Sequence, residues 1–224
     1  MKTTLNKIRE HHPCLGRWVK LLKHLDKTEA DDEPLDLLTI LESNGLGDTL
    51  WCFRAIEGYD REMRLFGAWC ARQVQHLMTD PRSIAAIDVA ENFANGNASD
   101  EELADAWAGA RDALDALDTS SDTAWAAEDA ADAAWDAAWA AADSARDAAW
   151  DAAWAASDAT RDAADAAARD ALDALDALDT SSDASRGAAW ATARDALAAA
   201  WTASDAARGA QEKHLREILK ECGK

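Results

Sequence analysis

Hydrophobic and polar positions follow two different styles along the chain. Through residue 98, apolar positions recur at helical spacing in short stretches, each bounded by a residue that starts or stops a helix. Pro34 opens a helix predicted over 35–43 that Gly45 closes; Asp48 caps the next, which runs through Trp51 to Glu57 and ends at Gly58. Asp60 caps a longer helix carrying Met63, Leu65, Phe66, Trp69, Val74 and Leu77, and Asp80-Pro81 starts another through Ile84, Ile87 and Phe93 to Gly96. No segment alternates as a half-buried strand would.

At Ser99 the style changes. Ser99-Asp-Glu-Glu102 is a capping box, and the chain beyond it is mostly Ala, Asp, Trp and Arg with almost no Gly or Pro, a composition that predicts helix. Two further boxes, Thr119-Ser-Ser-Asp122 and Thr180-Ser-Ser-Asp183, come after near-identical lead-ins from Arg111 and Arg169, a duplication about 60 residues apart in which each copy marks a helix end and a helix start. Between the boxes, AAWDAAWAAADSARD at 133–147 recurs as AAWDAAWAASDATRD at 148–162. Fifteen residues make four turns of 3.75, so repeated positions drift only about 60° around a helix. Trp135, Trp139, Trp150 and Trp154 then fall within an arc of about 100°, a stripe on one face. An unbroken helix over 121–178 would be about 87 Å long, so a break that folds it back is expected near Ser144 or over 157–160, the alternative being a long coiled coil. The expected fold is all-α: a compact N-terminal helical domain over 1–98, then long Ala/Trp/Asp-rich helices over 99–224 packed as a bundle or hairpin.

Composition changes where the stability is expected to come from. Hydrophobic residues make up 49% of the chain, but much of that is alanine, which buries little area. The burial energy is therefore expected from 11 Trp and from the Leu, Ile and Val of the N-terminal half. The net charge of -20 is concentrated late: residues 101–210 hold 24 acidic side chains against 7 arginines, and no lysine occurs between Lys27 and Lys213. Such a field repels nucleic acid and anionic membrane and attracts a basic protein surface; it also keeps an Ala/Trp-rich chain in solution. Four cysteines without a CxxC pair suggest reduced thiols, and with no leader-like start and no membrane-length apolar run a cytoplasmic location is expected.

The chain spells no catalytic motif: the five histidines form no HExxH, and G-x-S-x-G, GxxxxGKS/T and GxGxxG are absent. His11-His12 near Cys14 lacks a second ligand cluster, so neither a metal nor a cofactor is expected. The distinctive feature is Trp with Arg at i, i+4: Trp107/Arg111, Arg146/Trp150, Arg186/Trp190 and Trp190/Arg194. Either the indoles fill a helix-helix core and the arginines pair with aspartates, or some indoles line a pocket that sandwiches a planar ligand while Arg146 or Arg161 pairs a phosphate. In the N-terminal half Trp51, Arg54, Asp60, Arg61 and Arg64 gather on two consecutive helices, as a buried Arg/Asp brace or a binding surface.

Those same residues carry a resemblance. Cys14 to Val74, with NGLGDTLWCFRAIEGYDREMRLF at its centre, resembles the immunity-protein-5-like family of bacterial and phage genomes, in which an alanine-rich helical tail comes after this motif. Trp51, Arg54, Asp60, Arg61, Arg64 and Phe66 meet the motif; the match covers about residues 14–98, and the tail only in style, being far richer in Asp than in Arg. The resemblance implies a small intracellular helical protein that neutralises a toxin or antagonist without catalysis. The expected function is a non-catalytic binding protein that sequesters or blocks a toxin or defence component in bacterial or phage conflict, the alternatives being a phage counter-defence sponge for a nucleotide immune signal in a Trp/Arg-lined pocket and an acidic mimic of nucleic acid. The expected binding residues are Trp51, Arg54, Arg61, Arg64, Trp135, Trp139, Arg146, Trp150, Trp154 and Arg161. No direct nucleic-acid or membrane binding is expected, and a homodimer is one way to bury the tryptophan stripe.

Overall fold

The computed structural model describes residues 1–117, 122–139, 145–176 and 183–223. They form an all-α fold in which a two-residue antiparallel pairing, β1 (Lys2–Thr3) with β2 (Leu35–Asp36), ties down the start of the chain. The helices are α1 (Leu5–Glu10), α2 (Leu15–His24), α3 (Leu37–Asn44), α4 (Leu46–Trp51), α5 (Asp60–Val74), α6 (Pro81–Ala94), α7 (Asp100–Asp115), α8 (Asp122–Trp139), α9 (Ala145–Asp176) and α10 (Asp183–Glu221), with 3-10 turns at Cys52–Ala55 and Gln75–Leu77.

Local side-chain chemistry sets most of the helix boundaries. Ser99 accepts from the Glu102 amide at 3.2 Å while the Glu102 carboxylate accepts from the Ser99 amide at 2.7 Å, so the capping box closes in both directions. Asp80 accepts from the Arg82 amide at 2.8 Å, with Pro81 opening α6. Elsewhere the boundaries move. The residues after Pro34 pair as β2, and Asp36 caps α3 through the Leu38 amide at 3.0 Å, so α3 starts at Leu37. Gly45, at φ +89°, ends α3 and starts α4 in one step, which leaves Asp48 inside α4 rather than capping it. Asp60 falls in the first turn of α5, with Tyr59 at the cap.

Ser144, one of the two expected breaks, lies outside the described residues; α8 is described to Trp139 and α9 from Ala145. Residues 157–160, the other expected break, are continuous helix. Ser157 and Thr160 hydroxyls donate to the carbonyls of Ala153 and Ala156 at 2.8 and 2.9 Å, which satisfies them without opening a turn. The two copies of the fifteen-residue repeat therefore do not share one straight helix. The boxes at Thr119 and Thr180 lie largely outside the described residues, although α8 and α10 begin at their final aspartates.

α9 is the central element, packed against α5, α8 and α10. Its faces are alanine: Ala152, Ala153, Ala156, Ala159, Ala166 and Ala168 are buried, opposite Ala126, Ala130, Ala133, Ala134 and Ala137 of α8. The same core continues into Leu37, Ile40, Phe53, Met63 and Phe66 of the N-terminal helices and Leu215 and Leu219 of α10, so it runs across the change of sequence style at residue 98. Tryptophan does not carry it. Among the described residues no indole is fully buried, and Trp125, Trp154, Trp190 and Trp201 are 57%, 51%, 68% and 63% exposed. Methyl-faced helices approach too closely to admit an indole between them, so the wide rings are displaced to the perimeter.

α8 and α9 run antiparallel, as their facing aspartates show: Asp136 lies near Asp151, and Asp129 near Asp158 and Asp162, farther along α9. Burial, with Asp151 and Asp132 adding, lifts the Asp136 carboxyl to about 8; burial, then Asp162 and Asp158, lifts Asp129 to about 7. In the unfolded chain these groups ionise near pH 4, roughly the free aspartate value. Between about pH 4 and about pH 8 the folded protein thus keeps protons that the unfolded one has lost, and stability falls as pH rises through that window. Asp136→Asn is expected to unfold at a higher temperature than the parent at pH 8 and to flatten this dependence, read from helical circular dichroism during melting at several pH values. Leu215→Ala, which empties a fully buried position between α10 and the N-terminal core, is expected to cost about 2–5 kcal/mol in denaturant unfolding.

Candidate functional site

One of the exposed indoles, Trp154, joins two partly buried ones at a cavity. Trp18 on α2, Trp51 at the end of α4 and Trp154 on the outer side of α9 line a cavity of about 260 Å³, completed by Ile8, Leu21 and Ile40. A second cavity of about 460 Å³ adjoins it between α4, α9 and α10, and the two share Gly47 and Trp154. Gly47 has no side chain to divide them, and a Cβ there would meet nothing within 4 Å.

Charged groups at the first cavity are mutually arranged. Arg17 reaches Asp48 at 2.9 Å, and the Asn44 amide donates to Asp48 at 2.7 Å and to the Arg17 carbonyl at 3.0 Å. The displacement of the α4 start to Gly45 makes this possible, because Asp48 one turn in points back toward α2. The Arg54 guanidinium lies 5.0 Å from the Trp51 ring centre and the Arg208 guanidinium 5.7 Å from that of Trp154, each within cation-π range. A buried polar contact fixes where Arg208 stands along α9: Gln211 donates to the Ala153 carbonyl at 3.0 Å, and its side-chain oxygen lies 3.2 Å from the Ser157 hydroxyl, whose one proton it shares with that carbonyl. Farther along α10, His214 stacks on Trp69 of α5 with ring centres 4.3 Å apart. Burial holds the His214 imidazole below the usual histidine value, against the pull of Glu217 and Glu221.

The residues expected from sequence separate into groups. Trp51, Arg54 and Trp154 belong to the indole cavity or its wall. Arg61 donates to Asn95 at 2.8 Å and the Arg64 guanidinium lies 5.1 Å from the Phe93 ring centre, so both brace α5 against α6. Arg161 is held by Asp158 at 2.8 Å and Asp162 at 3.1 Å, beside a third cavity of about 280 Å³ that Trp125 and Arg169 also line. The side chains of Trp135, Trp139, Arg146 and Trp150 lie outside the described residues. Arg17, Trp18, Asp48 and Arg208 were missed. Asp48 reads as a cap, and Arg208 has no tryptophan four residues away because its indole is on another helix.

Among the described residues no group of three or more His, Cys, Asp or Glu is placed to hold a metal ion, and no helix is long and apolar enough to cross a membrane. The cavity is lined by three indoles and aliphatic side chains, with the Arg17–Asp48 pair among its lining residues. Comparison with protein-family models, with curated proteins and with solved structures finds no match to this chain.

Cys14 is exposed and lines the cavity, whereas burial, with Asp48 adding, pushes the Cys52 thiol up to about 12 and burial raises Cys70 as well. Iodoacetamide is therefore expected to modify Cys14 first, and Cys52 and Cys70 only on unfolding, as monitored by mass spectrometry of the peptides.

Proposed function

We propose that the protein works by binding, without catalysis, and that it sequesters or blocks a protein partner in bacterial or phage conflict. The observation that carries this reading is the pair Trp190 and Trp201 on α10, each more than three-fifths exposed. Eleven residues are three helical turns, so both rings project from the same side of α10, about 16 Å apart. Large aromatic side chains left in water have no folding benefit to offset their exposure, and they are the residues that dominate protein interfaces. The surrounding charge selects the partner. A surface of a chain with net charge -20 repels a second copy of itself and favours a basic protein. The setting in bacterial or phage conflict is supported by the resemblance of residues 14–98 to immunity proteins.

The test uses the immobilised full chain and its Trp190→Ala/Trp201→Ala variant against bacterial lysate. The parent is expected to retain a discrete basic protein that salt releases, and the variant to bind it at least about thirtyfold more weakly, the size of a hot-spot loss of about 2 kcal/mol. Recovery of no specific protein, or equal retention by both chains, would overturn the proposal. Retention lost with salt but indifferent to the two indoles points instead to nucleic-acid mimicry by the aspartate rows.

A further inference from the structure

We propose that the cavity between Trp18, Trp51 and Trp154 is a binding site for an uncharged amino-substituted purine, taken as the free base or nucleoside. It is separate from the α10 face and uses none of its residues. Three features specify the ligand. The volume, about 260 Å³, lies just under the range of about 300–1,000 Å³ that holds drug-sized molecules, so it suits one fused heterocycle with little attached. Three indoles with Ile8, Leu21 and Ile40 form apolar and aromatic walls, the kind of surface on which a base settles whatever its substituents. At the rim Arg17 and Asp48 stand side by side, 2.9 Å apart. Arg17 spends one N–H on Asp48 and is mostly exposed, so a guanidinium donor lies next to a carboxylate acceptor. That pair matches a ring nitrogen adjacent to an exocyclic amine, as at N1 and the 6-amino group of adenine or N3 and the 2-amino group of guanine.

Charge decides against the phosphorylated forms. Arg17 and Asp48 cancel at the cavity, while a phosphate would extend into the adjoining space, where Asp205 and Glu212 line the wall with Arg208, and Arg208 already lies against Trp154. The chain as a whole, at -20, adds to the repulsion.

Titration calorimetry of the full chain with adenosine, guanosine and their monophosphates, paired with the rate of Cys14 alkylation, tests this. At least one nucleoside is expected to bind with one-to-one stoichiometry and to slow alkylation at Cys14 but not at Cys222, and its monophosphate to bind at least about tenfold more weakly. Trp51→Ala is expected to weaken binding about tenfold or more. Gly47→Leu, where the added side chain has open space on a helix, should abolish both heat and protection with the melting temperature preserved. Absence of heat and protection with every ligand, tighter binding of a monophosphate, or protection that survives Gly47→Leu would each overturn the assignment. Trp190→Ala/Trp201→Ala leaves nucleoside binding unchanged, so this site and the α10 face fail independently.

Discussion

The close approach of alanine-faced helices around α9 governs the rest of the molecule. Methyl side chains let α8, α5 and α10 lie near the α9 backbone, and dispersion across many short contacts replaces the large buried side chains of an ordinary core. This has two consequences. The indoles described on α8 and on α9 lie outside their contact, and aspartates spaced among the alanines of α8 are carried to the edge of the α8–α9 contact, where burial disfavours their ionised form.

The expelled indoles are what the protein has to work with. Trp154 leaves the outer side of α9 and meets Trp18 and Trp51, contributed by helices whose own core is ordinary Leu, Ile and Phe packing. α10 is set on this arrangement by buried hydrogen bonds at Ser157 and Gln211 and by the His214 stack, which together place Arg208 over Trp154. Farther toward its start the same helix carries Trp190 and Trp201 in water. The indole cavity and the exposed α10 face, proposed above as ligand and partner sites, both use indoles that the alanine core leaves outside.

Aspartate abundance has a similar double effect. It keeps exposed tryptophan in solution by self-repulsion between chains, and it consumes arginine: Arg161 is held by Asp158 and Asp162, and Arg17 by Asp48. These arginines are held beside carboxylates that offset their charge, the feature on which the proposal of an uncharged ligand rests.

The amino-acid order by itself determined the helical state, the capping box at Ser99, the Asp80-Pro81 start and the glycine stop at residue 45, and it required only that the repeat not run on as one unsupported helix. Each depends on bonds between residues at most four apart or on the length a helix can reach unsupported. Only the tertiary structure decided which faces of the alanine helices are buried, that none of the described indoles is fully buried, and that Arg17 finds Asp48 and Arg208 finds Trp154. Those outcomes join residues tens of positions apart, and an alanine-tryptophan helix presents two apolar faces of similar hydrophobicity. Periodicity registers both faces alike, and the choice between them was made by the distance to which neighbouring backbones can close.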